Sequence, residues 1–292
     1  MKSGVLRSSG AGVFADPYAD AAAAGARVIA VASGKGGAGK SNLTVNLGLA
    51  LAAAGRRVII LDADLGLANV EVLLGVTPPA SLFDCLYHGR DIRDVLVPAP
   101  GGVRFISGGS GFLELANLDR RRRERLIASL ALLEEEADFL LIDTGAGISK
   151  NVLAFLAAAG EVIVVITPEP TSLTDGYSLI KVLARFRSHR RVLLAVNRAA
   201  GEKEAVDTFR RVERAVDRFL DIGVDYLGAV YEDRAVTRAV RAQVPFLLAE
   251  PRSQPAKSVT AMAGRLLTGG REEAARRSGI KGFFHRLVRV FE

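Results

Sequence analysis

The sequence contains one cysteine, Cys85, and only three histidines. A single cysteine excludes an internal disulfide and cannot build a zinc site by itself, and the histidines are scattered without ligand spacing. No run of eighteen apolar residues is present, so no membrane-spanning helix is expected. The amino terminus has no charged start followed by an apolar core, so no secretory signal is expected. These absences favour a protein of the reducing cytoplasm.

The composition is that of a folded protein with a basic surface. Hydrophobic residues make up 49% of the 292 residues and charged residues 24%, which is typical of a globular chain with a well-buried core. The formal net charge is +7 and the sequence pI is near 9.8. This excess of basic residues favours anionic partners, namely nucleotides, nucleic acid or acidic lipid, and composition alone does not choose among them.

Short apolar, β-branched runs alternate with helical patterns along most of the chain. The runs are "RVIAVAS", "RVIILDAD", "VRFISG", "DFLLIDT", "EVIVVIT", "RVLLAVN" and "VDYLGAV". Near-continuous apolar strands are buried on both faces of a parallel sheet, and the helices between them form its crossovers. We therefore predict an α/β fold, one doubly wound and mostly parallel sheet, over residues 26–268. We predict a loose tail over residues 1–25, a polar linker over residues 269–278 and a separate helix over residues 279–292.

A phosphate-binding loop follows the first predicted strand. Gly34, Gly39, Lys40 and Ser41 satisfy the pattern G-x-x-x-x-G-K-[ST] directly before a helical segment. Glycines allow backbone N–H groups to surround phosphate oxygens, and the helix N-terminus adds the positive end of its dipole. Lys40 is expected to reach the outer phosphates, and the Ser41 hydroxyl to ligate Mg²⁺. A second lysine, Lys35, lies in the same loop and has no role in this pattern.

Three aspartates follow two of the other predicted strands. Asp62 and Asp64 are two residues apart in extended chain, so their side chains point the same way at the carboxyl edge of the sheet. Two carboxylates that close repel each other unless a cation, or a water molecule to be activated, is bound there. Asp143 follows the apolar run "DFLLI", which is the Walker B arrangement. Each aspartate alone is also compatible with a helix cap or a turn, but the three together indicate a metal and hydrolysis site.

The last segment, "GIKGFFHRLVRVFE", carries an apolar stripe at helical spacing. Its members recur at i, i+3, i+4, i+7, i+8 and i+11 and are Ile280, Phe283, Phe284, Leu287, Val288 and Phe291. Such a stripe either covers the chain's own core or enters a membrane surface. The preceding polar linker and three phenylalanines on so short a helix favour the membrane.

The full loop string "KGGAGKS" resembles the deviant phosphate loop of the ParA/MinD family of ATPases. The resemblance implies a MinD-like (SIMIBI-class) P-loop NTPase that binds ATP and Mg²⁺ and hydrolyses ATP as a homodimer. It implies that Lys35, which could otherwise be a solvated charge, crosses the dimer interface to the partner's nucleotide, with Lys40 and Asp64 as the other catalytic residues. The loop residues implied to contact ATP are Gly34, Gly36, Gly37, Ala38, Gly39, Lys40, Ser41 and Asn42.

The resemblance also assigns roles to the aspartates and to the adenine contacts. Asp64 is implied to orient the attacking water, Asp62 to lie nearer the metal, and Asp143 to be an outer-shell Mg²⁺ group at the start of a switch loop. Asn197, at the end of "RVLLAVN", is implied to offer its amide to the adenine edge. Asp233 stands where relatives contact the base, although a helix N-cap explains it equally well.

Three further strings resemble the FlhG (FleN, YlxH) branch of this family, which controls flagellar number and placement. They are "DADLGLANVEVLLG", "DTGAGIS" and "VITPEPTSLTDGYSLIKVL". Division-site MinD proteins carry a proline in the switch, and chromosome-partitioning ParA proteins carry D-x-D-P-Q after the second strand, whereas this chain has neither. A MinD- or ParA-type ATPase that positions the division site or another cargo is the alternative function.

Partners and location follow from the same resemblance. We expect an ATP-bound homodimer in the cytoplasm that binds reversibly to the anionic inner face of the cell membrane through the C-terminal helix, which resembles MinD-type membrane-targeting tails. The implied protein partners are an FlhF-like GTPase and flagellar basal-body proteins, and no nucleic-acid partner is expected. Residues 1–26 contain no D-Q-A-x-x-L-R string, the motif with which FlhG proteins stimulate FlhF.

Overall fold

The computed structural model describes residues 25–64, 69–108, 120–269 and 279–291. Within these residues, one eight-stranded sheet forms the centre of the protein. The strands are β1 (Arg27–Ala32), β2 (Val58–Ala63), β3 (Val97–Pro98), β4 (Arg104–Ser107), β5 (Phe139–Thr144), β6 (Glu161–Ile166), β7 (Arg191–Ala199) and β8 (Gly223–Tyr231). Their order is β3-β4-β2-β5-β1-β6-β7-β8, and every neighbouring pair is parallel except β3 with β4. The predicted α/β fold with a mostly parallel sheet is confirmed.

The predicted apolar runs form the strands. They are apolar on both faces because helices cover both faces of the sheet. All six residues of β2 and all six of β5 are buried. The short strand β3 was not among the predicted strands. It has two residues, one of them Pro98, and it lies at the sheet edge, where the missing N–H of proline removes no ladder bond.

The helices form two layers, one on each face of the sheet. They are α1 (Lys40–Ala53), α2 (Asn69–Leu74), α3 (Leu82–Tyr87), α4 (Arg120–Ala131), α5 (Lys150–Ala158), α6 (Pro170–Phe186), α7 (Glu202–Phe219), α8 (Arg234–Arg241), α9 (Phe246–Ala249), α10 (Gln254–Thr268) and α11 (Gly279–Phe291). One apolar cluster packs α1, α2, α8, α9 and α10 against the sheet, and the other packs α4, α5, α6, α7 and α11. Among the described residues, none of the helices has the length and apolarity needed to cross a bilayer.

The C-terminal helix α11 is packed onto the domain. Its buried stripe residues, each between 0% and 4% exposed, are Ile280, Phe283, Phe284, Leu287 and Val288. The helix contacts α4, α5 and β1, and the rings of Phe155 and Phe283 stack with centroids 6.3 Å apart. The side chain of Phe291 lies outside the described residues. The stripe predicted to face a membrane therefore covers the protein's own core in this conformation, because the same apolar spacing suits either surface. The helix must leave the domain before it can meet lipid.

Candidate nucleotide site

The phosphate loop connects β1 to α1 at the carboxyl edge of the sheet, where parallel α/β proteins bind their ligands. Two of its glycines, Gly37 (φ 79°) and Gly39 (φ 86°), adopt left-handed backbone conformations. Gly39 also lies so close to Asn197 that a Cβ at residue 39 would overlap the Asn197 amide nitrogen. Glycine is thus required at this position for both its conformation and its space.

Lys40 begins α1 and is paired with a buried carboxylate. Its Nζ lies 2.9 Å from Asp143 Oδ1, and Thr44 Oγ1 donates to the same oxygen at 3.1 Å. Asp143 is fully buried, and its second oxygen, Oδ2, has no hydrogen-bond partner among the described residues. An unpaired buried carboxylate oxygen beside a phosphate loop suits an incoming cation or its bound water.

Asp62 and Asp143 lie side by side, as register partners on the adjacent strands β2 and β5. Burial, together with the nearby Asp143 charge, raises the pKa of the Asp62 carboxyl to about 7. The backbone N–H groups of Asp64 and Val70 donate to Asp62 at 3.0 and 3.3 Å. Two carboxylates this close in a buried position form an environment that a divalent cation would stabilise.

The residues expected to hold Mg²⁺ fit such an ion. Ser41 follows Lys40 in the first turn of α1, and Lys40 is bonded to Asp143, the register partner of Asp62. No group of three or more acidic, histidine or cysteine side chains able to hold a metal is found in the described part of the chain.

Asp64 lies one residue beyond β2 and faces the loop that follows β5. Its Oδ1 is 3.7 Å from the position that a Cβ on Gly145 would take. The next four residues, 65–68, lie outside the described ranges. The structure thus places this aspartate between the end of β2 and the predicted switch loop.

Lys35 is paired with side chains outside the phosphate loop. Its Nζ contacts the Glu169 carboxylate and lies 3.0 Å from Thr171 Oγ1, at the start of α6. This contact lowers the pKa of the Glu169 carboxyl. Neither Glu169 nor Thr171 was predicted from the sequence, although both lie in the "TPEPTS" string. No spacing rule connects them to a lysine more than a hundred residues earlier in the chain.

A cavity of about 410 Å³ adjoins the phosphate loop, and both predicted adenine residues line it. Asn197 Nδ2 donates to the Ala38 carbonyl at 2.8 Å, so this amide holds the loop backbone as well as facing the cavity. Asp233 caps α8 by accepting a hydrogen bond from Ala235 N–H at 2.8 Å. The cap considered above is therefore present, and it keeps Asp233 at the cavity wall.

Other cavity residues could not be identified from the sequence. They include Arg198, Tyr231, Arg241 and Phe246. Arg198 has a left-handed backbone (φ 59°), which is uncommon for a residue other than glycine. The predicted membrane residues whose side chains the structure describes lie elsewhere and are buried in α11: Ile280, Phe283, Phe284, Leu287 and Val288.

Comparison with known proteins gives consistent matches. The family model described as CobQ/CobB/MinD/ParA nucleotide binding domain matches residues 29–246. The antiactivator FleN of Pseudomonas aeruginosa is 41% identical over 212 residues, which cover 73% of this chain and 76% of FleN. The flagellum site-determining protein YlxH of Helicobacter pylori is 31% identical over 240 residues, 80% of each chain. The septum site-determining protein MinD of Pyrococcus horikoshii, solved with Mg-ADP, has a TM-score of 0.66 and 26% identity, and the match covers 84% of this chain and 98% of that one.

Proposed function

Because the chain belongs to the CobQ/CobB/MinD/ParA nucleotide-binding family, and within it to the FleN/YlxH group of MinD-like proteins, we propose that it is an ATPase that dimerises on ATP and binds the membrane reversibly to control flagellar number or placement. One observation carries the ATPase chemistry. The loop lysine Lys40, the paired carboxylates of Asp62 and Asp143, and Asp64 meet at one sheet edge beside a cavity. The flagellar role rests on the names of the FleN and YlxH relatives.

Each residue of the site has a distinct task in this proposal. On ATP binding, Lys40 would exchange Asp143 for the outer phosphate oxygens, and Asp143, Asp62 and Ser41 are the residues that would hold Mg²⁺. The metal supplies charge neutralisation at the phosphates. Asp64 accepts a hydrogen bond from the attacking water and thereby orients that water. Asn197 and Asp233, which both line the cavity, would contact the base.

Lys35 is proposed to act on the partner's nucleotide. Lys35→Ala should bind ATP almost normally, because Lys40 and the loop backbone remain, but it should neither dimerise nor hydrolyse ATP. Calorimetry, light scattering and phosphate release measure the three properties. Lys203→Ala, which removes an exposed lysine from the first turn of α7, is the control and should change none of them.

A mixture of two inactive variants tests the geometry of this lysine. In a mixed dimer of Lys35→Ala with Asp64→Ala, one of the two sites combines an intact Asp64 with the partner's intact Lys35. Each mixed dimer should therefore hydrolyse ATP at up to about half the rate of the unmodified dimer. A lysine that serves its own chain would leave both sites of the mixed dimer defective. No recovery on mixing, or equal loss of ATP binding in Lys35→Ala and Lys40→Ala, would contradict the proposed role.

Helix α5 provides a route from the nucleotide edge to the docked helix α11. It begins at Lys150 and is capped by Ser149, the last residue of the loop that follows β5. That loop is bonded to the phosphate loop, since Gly147 N–H donates to the Ser33 carbonyl at 2.9 Å. At the other end of α5, the Ala158 carbonyl accepts a hydrogen bond from Arg286 Nε at 2.9 Å. A change in the loop on ATP binding would thus reach the surface that holds α11.

We predict ATP-dependent, reversible binding to anionic liposomes. Insertion of the stripe gains about 1.5–3 kcal/mol for each large apolar side chain fully buried in lipid, but docking offers a similar gain, so one helix should bind weakly. Two helices on an ATP dimer bind better through effective concentration. Co-sedimentation should therefore require ATP, disappear on deletion of residues 279–292 and weaken in Phe284→Glu.

The matched control for Phe284→Glu is Val290→Glu. Val290 is about half exposed on the outer side of the docked helix, so the same charge is introduced without loss of the stripe. It should retain most of the ATP-dependent binding. Equal sedimentation with ATP, with ADP and after the deletion would leave α11 as core packing only.

A further inference from the structure

One carboxylate, that of Glu134, holds segments from both ends of the described chain. Glu134 lies in a short 3-10 turn, Leu132–Glu135, directly after α4. Its Oε1 accepts a hydrogen bond from Ala26 N–H at 2.6 Å, just before β1. Its Oε2 accepts from Ile280 N–H at 2.5 Å and from Lys281 N–H at 3.2 Å, in the first turn of α11. The start of the domain and the start of its last helix are thus fastened to the same side chain.

The first turn of α11 needs a partner from elsewhere in the protein. The first N–H groups of any helix have no acceptor within the helix, and a carboxylate near that end also complements the helix dipole. The first turn of α11 contains no acidic residue. Glu134 supplies the acceptor across the contact between α11 and the turn that follows α4.

Two glycines allow this carboxylate to approach both backbones. A Cβ at residue 25 or at residue 279 would overlap Glu134 Oε1. Gly279 in addition has a left-handed backbone (φ 45°). The close approach therefore depends on the absence of a side chain at Gly25 and at Gly279, on either side of the carboxylate.

We propose that Glu134 is a positioning residue that sets how readily α11 leaves the domain, and that it couples this release to the backbone at Gly25 and Ala26. Since both segments bond to the two oxygens of the same carboxylate, a displacement of Glu134 from the side of Gly25 moves the acceptor away from Ile280 and Lys281. The meaning of this coupling for membrane binding rests on the proposed function, whereas the coupling itself concerns docking alone.

Hydrogen–deuterium exchange on the ADP-loaded protein tests the docking step without a membrane. In Glu134→Gln, an amide group replaces one acceptor oxygen with a donor that faces backbone N–H groups. Exchange of residues 283–290 should then accelerate roughly tenfold, the typical effect of losing a helix cap, whereas exchange in β5 and ATP affinity should not change. Glu135→Gln, one residue along and exposed, should behave like the unmodified protein.

Gly25→Ala tests the coupling from a site far from α11 in sequence. The added methyl group overlaps Glu134 Oε1 and lies 3.2 Å from Gly279 Cα, at the first residue of α11, so exchange of residues 283–290 should again accelerate several-fold. Gly264→Ala, where an added Cβ meets nothing within 4 Å, is the matched glycine control and should leave α11 unchanged. Unchanged α11 exchange in Glu134→Gln and Gly25→Ala would overturn the proposal, as would acceleration spread equally over the whole sheet.

Vesicles of phosphatidylglycerol and phosphatidylcholine then separate the two hypotheses. With ADP, Glu134→Gln and Gly25→Ala should sediment with these vesicles several-fold more than the unmodified protein. Faster exchange of α11 without any vesicle binding would support the role of Glu134 and count against the proposed membrane function. Vesicle binding that rises without faster exchange of α11 would overturn the role of Glu134.

Discussion

Lys40→Ala should weaken ATP binding by about two orders of magnitude or more, because removing one partner of a desolvated, charge-assisted contact typically costs 2–5 kcal/mol. Lys40 is nearly buried, and its position at the first residue of α1 puts its ammonium group at the phosphate end of the loop. Titration calorimetry with Mg-ATP measures the loss, with Lys203→Ala as the control. Cells that carry Lys40→Ala should also show altered flagellar number or placement, as cells without the gene should.

The same substitution has a second effect that the experiment must separate from binding. Without Lys40, the fully buried Asp143 loses its cation, and breaking a buried pair in this way typically lowers the free energy of unfolding by about 3–5 kcal/mol. Lys40→Ala combined with Asp143→Asn removes both charges and should recover much of that stability, yet it should still fail to bind ATP. A folded Lys40→Ala protein with nearly unchanged ATP affinity would refute the phosphate-loop assignment.

Asp64→Ala should retain ATP binding but slow hydrolysis by a factor on the order of 10²–10⁴, the usual effect of losing a positioned acid–base group. Asp64 lies one residue beyond β2, facing the start of the loop after β5, whereas the neighbouring Asp62 is buried beside Asp143. This difference in environment favours Asp64 as the residue that orients water and Asp62 as a group near the metal. Phosphate release in single-turnover conditions measures the effect.

The slow variant should accumulate as an ATP-bound dimer, which light scattering after size-exclusion chromatography detects. Asp207→Ala, which removes an exposed aspartate from α7, is the control and should hydrolyse ATP at the normal rate. If Asp64→Ala hydrolyses ATP normally and remains monomeric with ATP, Asp64 does not orient the attacking water.

Local sequence determines the sheet and the phosphate loop, which is why both could be predicted. Each buried strand is a short apolar run, and the pattern from Gly34 to Ser41 specifies a turn and a helix start within eight residues. The contacts of Lys35 with Glu169 and of Asn197 with Ala38 join residues 134 and 159 positions apart. Such contacts depend on how β6, α6 and β7 pack around β1, and no spacing in the sequence reports them.

The position of α11 was not determined by its sequence for a different reason. The spacing of Ile280, Phe283 and Leu287 specifies an amphipathic helix, and the periodicity is the same whether the apolar side faces lipid or the domain's own surface. What holds α11 in place comes from elsewhere in the chain: the apolar face of α5, including Phe155, and the Glu134 carboxylate. Only the three-dimensional arrangement shows that these groups meet.

Because α11 is docked on the domain, a protein truncated before α11 would expose apolar surface that the full chain buries. Removing residues 279–292 exposes the apolar face that Phe283, Phe284 and Leu287 now cover, and water cannot replace those contacts. The shortened chain then has a solvent-exposed apolar groove, which favours self-association. The highest concentration at which the protein remains monomeric is therefore lowered. A protein expressed without the last helix should therefore self-associate more readily than the full chain, so it is not simply the ATPase domain with the helix removed.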